Sequence, residues 1–300
     1  MRKWVKIVLW TILLAGGVIL CAVRWQAWFG MPAEPKWTGD TLHYTFPRPL
    51  SPKTLTANPL TILVLGDIHN HLTRADYDTL AARVPDADAI AQTGDWLDRG
   101  QEYYYQLLLR EWTASALYGK PVIVCPGNHE YSKGLHKALS PYWQEAFGED
   151  ADYYIDFPQL RFIVIDTNPM VRLVNITRTL TWLREAMYTA GDRYIVVMMH
   201  HPVLSPAKGR FNPLIYAAFR HALGEADLVL AGHDHSYMRR TPFVVLNTGG
   251  KPKPQHLGFP ADFTYTEPVY GVLTVKDGLQ FNVYRLEDGA LIDSLYVNHD

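Results

Sequence analysis

Five short polar clusters hold the residues of this chain best suited to chemistry. They are Asp67-Ile68-His69, Gly94-Asp95-Trp96-Leu97-Asp98-Arg99, Gly127-Asn128-His129-Glu130, His200-His201-Pro202 and Gly232-His233-Asp234-His235. Together they offer carboxylate, amide oxygen and imidazole, and no thiolate. That donor set disfavours a structural zinc site or an iron–sulfur cluster and suits two divalent ions that share a carboxylate. Gly94 and Gly127 stand beside candidate ligands, where a missing side chain lets the backbone come close to a metal or a phosphate.

The segments before these clusters are apolar runs, often β-branched: 61–65, 89–91, 122–125, 194–199 and 228–231. Continuous apolar runs of this length suit strands buried on both faces. A sixth run, 161–166, has the same character without an obvious ligand after it. Between the runs, Arg74–Arg83, 102–117 and 179–190 carry helix-like spacing. This alternation predicts an α/β fold whose polar residues gather at the carboxyl ends of strands, where such folds place ligands. Toward the C-terminus, Val269–Val275, 279–286 and 290–297 are separated by Lys276-Asp277-Gly278 and Glu287-Asp288-Gly289. Asp-Gly between alternating strands predicts hairpins, expected to complete a second sheet and to carry no chemistry.

The chain has 300 residues, 48% of them hydrophobic, enough for one large core. A net charge of −2 gives no basic excess that would mark a nucleic-acid binder. The two cysteines, Cys21 and Cys125, cannot build a disulfide framework. Residues 7–23 run uncharged between Lys6 and Arg24. At about 1.5 Å per residue they span roughly 26 Å, close to a bilayer's hydrocarbon core. Trp4, Trp10, Trp25 and Trp28 stand in or near the two interfaces, and the heavier basic flank is N-terminal. The expectation is one transmembrane helix, with the N-terminus cytoplasmic and the rest extracytoplasmic. A cleaved signal is disfavoured because no small-x-small site follows the run. A lipoprotein signal is disfavoured because Leu20 precedes Cys21. Residues 1–29 thus read as stub and anchor, 30–59 as a Pro-rich linker, and 60–300 as the functional domain.

The order Gly-Asp-x-His, Gly-Asp-x-x-Asp-Arg, Gly-Asn-His-Glu, His, Gly-His-x-His resembles the signature of calcineurin-like metallophosphoesterases, from Leu60 to about Gly250. The resemblance implies a four-layer α-β-β-α sandwich of two mixed sheets flanked by helices. It also implies two divalent ions (Mn, Fe or Zn). One would sit on Asp67, His69, Asp95 and His235, the other on Asp95, Asn128, His200 and His233, with Asp95 bridging. The second half looks like purple acid phosphatases, but Asp98 stands where that subgroup has its tyrosine ligand, so a ferric-tyrosinate centre is not expected. The first half looks like protein Ser/Thr phosphatases.

Two such cations, roughly 3.5–4 Å apart, would polarise a phosphoryl group and supply a bridging hydroxide as nucleophile. His129 would protonate the leaving alkoxide, Asp98 would orient that imidazole, and Arg99 would hold phosphate oxygens in a bidentate fork. His201 reads as a structural neighbour. The favoured activity is phosphomonoester hydrolysis, with phosphodiester or pyrophosphate hydrolysis on a nucleotide or lipid headgroup as the rival. A non-catalytic binding module is the alternative of another class. The expected partners are a phosphorylated small molecule or lipid headgroup and the membrane. Lys208 and Arg210 are further charges that could meet a phosphate.

Overall fold

The structure is a computed structural model that describes residues 36–43, 46, 57–131, 138–148, 152–172, 174–205, 213–253 and 261–299, apart from the side chains of 213–216. The run 7–23, expected to cross a membrane, lies outside the described residues, as do Lys208 and Arg210. Among the described residues no helix is long and apolar enough to cross a membrane. The chain divides into two units, Met1–Thr38 and Gly39–Asp300, and the second contains every element named below.

One sheet has the order β13-β12-β11-β1-β2-β3. Its strands are β1 (Leu60–Leu65), β2 (Ala89–Gln92), β3 (Val122–Val124), β11 (Val269–Val275), β12 (Leu279–Arg285) and β13 (Leu291–Val297). β1, β2 and β3 are parallel, and β11 pairs antiparallel with β1. The second sheet has the order β10-β8-β9-β7-β6-β5-β4. It comprises β4 (Tyr153–Asp156), β5 (Leu160–Ile165), β6 (Tyr194–Met199), β7 (Leu228–Ala231), β8 (Tyr237–Arg240), β9 (Phe243–Val245) and β10 (Phe263–Tyr265). β5, β6, β7 and β9 run parallel, while β4, β8 and β10 are antiparallel to their neighbours. The C-terminal hairpins form where expected, but they extend the first sheet through Leu60↔Val275 and its successors rather than building a second one. Asp-Gly turns fix which neighbours pair; they carry no information about which distant strand receives the hairpin.

Strand alternation sets the layers. In β1, Ile62 and Val64 point into a core shared with Val196 and Met198 of β6, between the two sheets. Leu63 and Leu65 point the other way, into a core with Tyr77 and Leu80 of α1 (Arg74–Arg83), Leu108 and Trp112 of α2 (Glu102–Thr113), and Trp143 of α3 (Pro141–Phe147). On the far side, Val197 and Met199 of β6 meet Leu183 and Met187 of α4 (Ile176–Tyr188) and Phe219 of α5 (Pro213–Ala222). Both faces of each central sheet are therefore covered, which is why their strands read as unbroken apolar runs. The result is an α/β fold of two mixed sheets with helices outside. Phe46, within the stretch expected to be a linker, is buried against Trp96, Trp112 and Phe147.

Candidate metal centre

All five polar clusters follow parallel strands: Asp67 and His69 after β1, Asp95 after β2, Asn128 after β3, His200 after β6, and His233 and His235 after β7. Parallel strands end on the same side of a sheet, so one rim of the two sheets collects every candidate ligand. Asp67, His69, Asp95, His233 and His235 all have positive φ, between 49° and 72°. Such conformations cost of order 1–3 kcal/mol each and persist at sites whose surroundings over-determine them. The glycines give room: a Cβ on Gly127 would lie 2.1 Å from Asp95 Oδ1, and one on Gly94 would lie 2.6 Å from His200 Nδ1.

The donor atoms converge in two sets. His69 Nε2 and His235 Nε2 stand 3.1 Å apart. Asp67 Oδ1 lies 3.9 Å from the first and 3.7 Å from the second, and Asp95 Oδ2 lies 3.8 Å from His69 Nε2. In the other set, His200 Nε2 is 3.2 Å from Asp95 Oδ2, 3.2 Å from Asn128 Oδ1 and 3.2 Å from His233 Nδ1. Donors about 2.0–2.2 Å from one shared ion stand roughly 3–4 Å apart, so both sets have the spacing of an ion's coordination shell. Asp95 belongs to both.

Tautomers are fixed from behind. His200 Nδ1 donates to the Thr93 carbonyl (3.0 Å) and His235 Nδ1 to the Lys251 carbonyl (3.1 Å), which turns each Nε2 to the centre. The electrostatics also call for cations. Burial raises the Asp67 carboxyl well above its usual range, and burial lowers the His69 imidazole to about 3. At His200 burial opposes charge, but the carboxylates of Asp95, Asp67 and Glu130 together push it up to about 9. Protons thus gather where cations would otherwise balance buried carboxylates. The residues present fit a pair of divalent ions in donor chemistry, spacing and charge.

The three expected catalytic residues are not placed alike. His129 lines the cleft; its main-chain N–H donates to Asp95 Oδ1 (2.8 Å), and its Nε2 lies 3.9 Å from Asp95 Oδ2. Its Nδ1 meets the Asp98 main-chain carbonyl at 2.5 Å, not the Asp98 carboxylate. That carboxylate instead sits 3.9 Å from His69 Nδ1 and 4.0 Å from Arg99 Nε. Arg99 is not among the described residues lining the cleft. His201, expected as a neighbour only, is buried with its Nδ1 2.8 Å from Thr167 Oγ1, and it does line the cleft.

Glu130 has a role that sequence reasoning missed. Its buried carboxylate accepts main-chain N–H bonds from Asp95 (2.9 Å), Gly127 (2.7 Å) and Leu97 (3.0 Å), tying the loops after β2 and β3 together. Burial and the nearby Asp95 push its pKa up to about 7. Its place beside Asn128-His129 was visible; its amide partners were not.

A cleft of about 530 Å³ opens over the centre. Its wall includes Tyr131, Asn168, Arg172, Ser205 and Lys253.

Fold and site together define a metallophosphoesterase. Residues 60–237 match the family model described as "Calcineurin-like phosphoesterase", more than half of the chain, and the chain belongs to that family. It is 26% identical over 160 residues to "Glycerophosphodiester phosphodiesterase GpdQ" of Enterobacter lignolyticus, covering 50% of this chain and 56% of that protein. The chain thus spans about half the length of this relative. Among solved structures, purple acid phosphatase PPD1 from yellow lupin seeds superposes with a TM-score of 0.67 at 14% identity, covering 84% of this chain and 55% of the lupin chain. GAP50, described as the anchor in the inner membrane complex of Plasmodium, superposes with a TM-score of 0.60 at 15% identity, covering 81% and 90%. At such identities these structures speak for the fold alone.

Proposed function

We propose that the chain hydrolyses phosphate esters at a two-metal centre held by Asp67, His69, Asp95 and His235 on one side and Asp95, Asn128, His200 and His233 on the other. The observation that carries this reading is the convergence of both donor sets on Asp95. Ions bound there would supply Lewis acidity toward the phosphoryl oxygens and lower the pKa of water at the site. The protein's own part is positioning. Asp95 Oδ1 and the Asp98 carbonyl hold the His129 main chain and ring, so His129 Nε2 faces the centre, where it can give a proton to a departing alkoxide.

Between ester classes, we favour phosphodiesters over the phosphomonoesters expected from sequence. The monoester expectation leaned on an Asp98 carboxylate orienting His129 and on an Arg99 fork in the cleft. His129 is held by a carbonyl, Arg99 is not among the described residues lining the cleft, and relatives in sequence are named for a diester. Hydrolysis of bis-p-nitrophenyl phosphate and p-nitrophenyl phosphate by the Mn- or Zn-loaded chain tests this choice. A higher kcat/KM on the diester supports it, and a preference for the monoester overturns it. A binding module without catalysis is disfavoured because no ligand of either set is missing, although fold by itself implies no activity.

Membrane attachment through residues 7–23, with the domain extracytoplasmic, is part of the same proposal and rests on hydropathy and flanking charge. Release of the full chain from membranes by alkaline extraction, without detergent, would refute it.

A further inference from the structure

Excluding the candidate ligands, the side chains that line the described cleft carry two permanent positive charges, Arg172 and Lys253, and no carboxylate. Both are tied to the site through the main chain or a neighbouring ring. The Arg172 guanidinium lies over the face of Tyr131, 5.5 Å from its centroid, and its Nε donates to the Asn168 carbonyl at 3.3 Å. The Lys253 main-chain N–H donates to the carbonyl of His235, itself a candidate ligand, at 3.2 Å. The platform under Arg172 is braced: the Tyr131 hydroxyl donates to Asp166 Oδ2, while Asp166 Oδ1 accepts from the Asn168 main-chain and side-chain amides at 2.9 Å each. Two cations would neutralise the scissile phosphoryl group without help from either side chain. The Asp166 carboxylate balances part of the Arg172 charge, and with Lys253 the wall still carries net positive charge beyond the candidate ligands, which a second anionic group would meet.

We propose that Arg172 and Lys253 form a second anion subsite, which selects phosphoesters carrying a further phosphate beside the one that is cleaved. A planar guanidinium suits this task because it presents paired N–H donors to phosphate oxygens, and stacking on Tyr131 limits the orientations it must give up. The ammonium of Lys253 adds a point charge from the loop after β9. This inference rests on the hydrolytic reading above and names the substrate class within it.

The test compares two matched diesters with one leaving group: the p-nitrophenyl ester of thymidine 5′-phosphate, and the same ester bearing a 3′-phosphate. The metal-loaded full chain is assayed beside R172Q, R172K and K253Q, with R184Q, an exposed position on α4, as control. The expected result is a higher kcat/KM for the ester with the 3′-phosphate. R172Q should lower that advantage by about 10- to 100-fold, the worth of a hydrogen bond to a charged group. R172K should restore part of it, and K253Q should lower it less. An independent readout is equilibrium binding of inorganic pyrophosphate against inorganic phosphate, where R172Q should remove the preference for pyrophosphate. If turnover is absent but that preference is present and falls in R172Q, the subsite stands and the hydrolytic reading fails. If turnover is present and R172Q lowers both diesters equally, or neither, the subsite is overturned.

Discussion

Replacing Glu130 by glutamine tests whether one buried carboxylate holds the loops after β2 and β3 in register. Glu130 Oε2 accepts from Asp95 and Gly127 at 2.9 and 2.7 Å, and Oε1 accepts from Leu97 at 3.0 Å. Glutamine has one oxygen. Seated in place of Oε2 it keeps the first two bonds and turns its NH2 against the Leu97 N–H. The loss is one charge-assisted bond, about 1.5–3 kcal/mol, plus a buried donor left unmet, about 1–3 kcal/mol. Part of this is offset, because burial and Asp95 already raise the pKa of Glu130 to about 7 and the charge is costly to keep. The net expectation for E130Q is a stability loss of roughly 2–4 kcal/mol, seen as a lower urea midpoint at unchanged slope. Because Asp95 is displaced with its loop, metal affinity should fall about 10- to 100-fold. A variant within about 0.5 kcal/mol of the wild type, with unchanged affinity for Zn or Mn, would refute the assignment.

How much of this centre could be read from sequence depends on what each residue does. The strands that deliver ligands were legible because both their faces are buried, and their polar successors stand out against apolar runs such as residues 194–199. β4 and β10 were not. They are short and half exposed, with Tyr153–Asp156 and Phe263–Tyr265 showing no continuous apolar run. The partner of the C-terminal hairpins was also hidden, because Leu60↔Val275 joins residues more than 200 apart and no local signal records it. At the site, side-chain donors could be named from their types. Roles played through the main chain could not: the Asp98 carbonyl on His129 and the three amides on Glu130 depend on loop geometry. Arg99, named from its motif position, is not among the described residues lining the cleft.

Two further outcomes follow from the ionisation of the structure. Metal binding should release protons: His200 is held up at about 9 and so carries a proton at pH 7.5, which an ion must displace to use its Nε2. Calorimetric titration with Zn in buffers of different ionisation enthalpy should show release of about one proton or more per chain, and heats independent of buffer would contradict this. Away from the centre, the Asp156 carboxyl is held below its usual range by hydrogen bonds from Arg161, whose Nε and Nη2 donate at 2.6 and 2.7 Å. Because that folded-state value is depressed, its stabilising contribution is complete above about pH 4 and is lost as pH falls through the lowered value. D156N should therefore cost about 1–3 kcal/mol at pH 7, with the gap to wild type closing in strong acid, as read from urea midpoints at both pH values.

The claim on which the rest depends is that Asp95 is shared by two ions. The most direct test measures bound Mn or Zn per chain, together with bis-p-nitrophenyl phosphate turnover, in the wild type and in D95N. The account predicts two equivalents in the wild type, and one or none in D95N. It also predicts a fall in turnover of at least about 1,000-fold, as expected when several kcal/mol of transition-state stabilisation is removed. A wild type that binds a single equivalent, or a D95N that keeps both ions and its turnover, would contradict it.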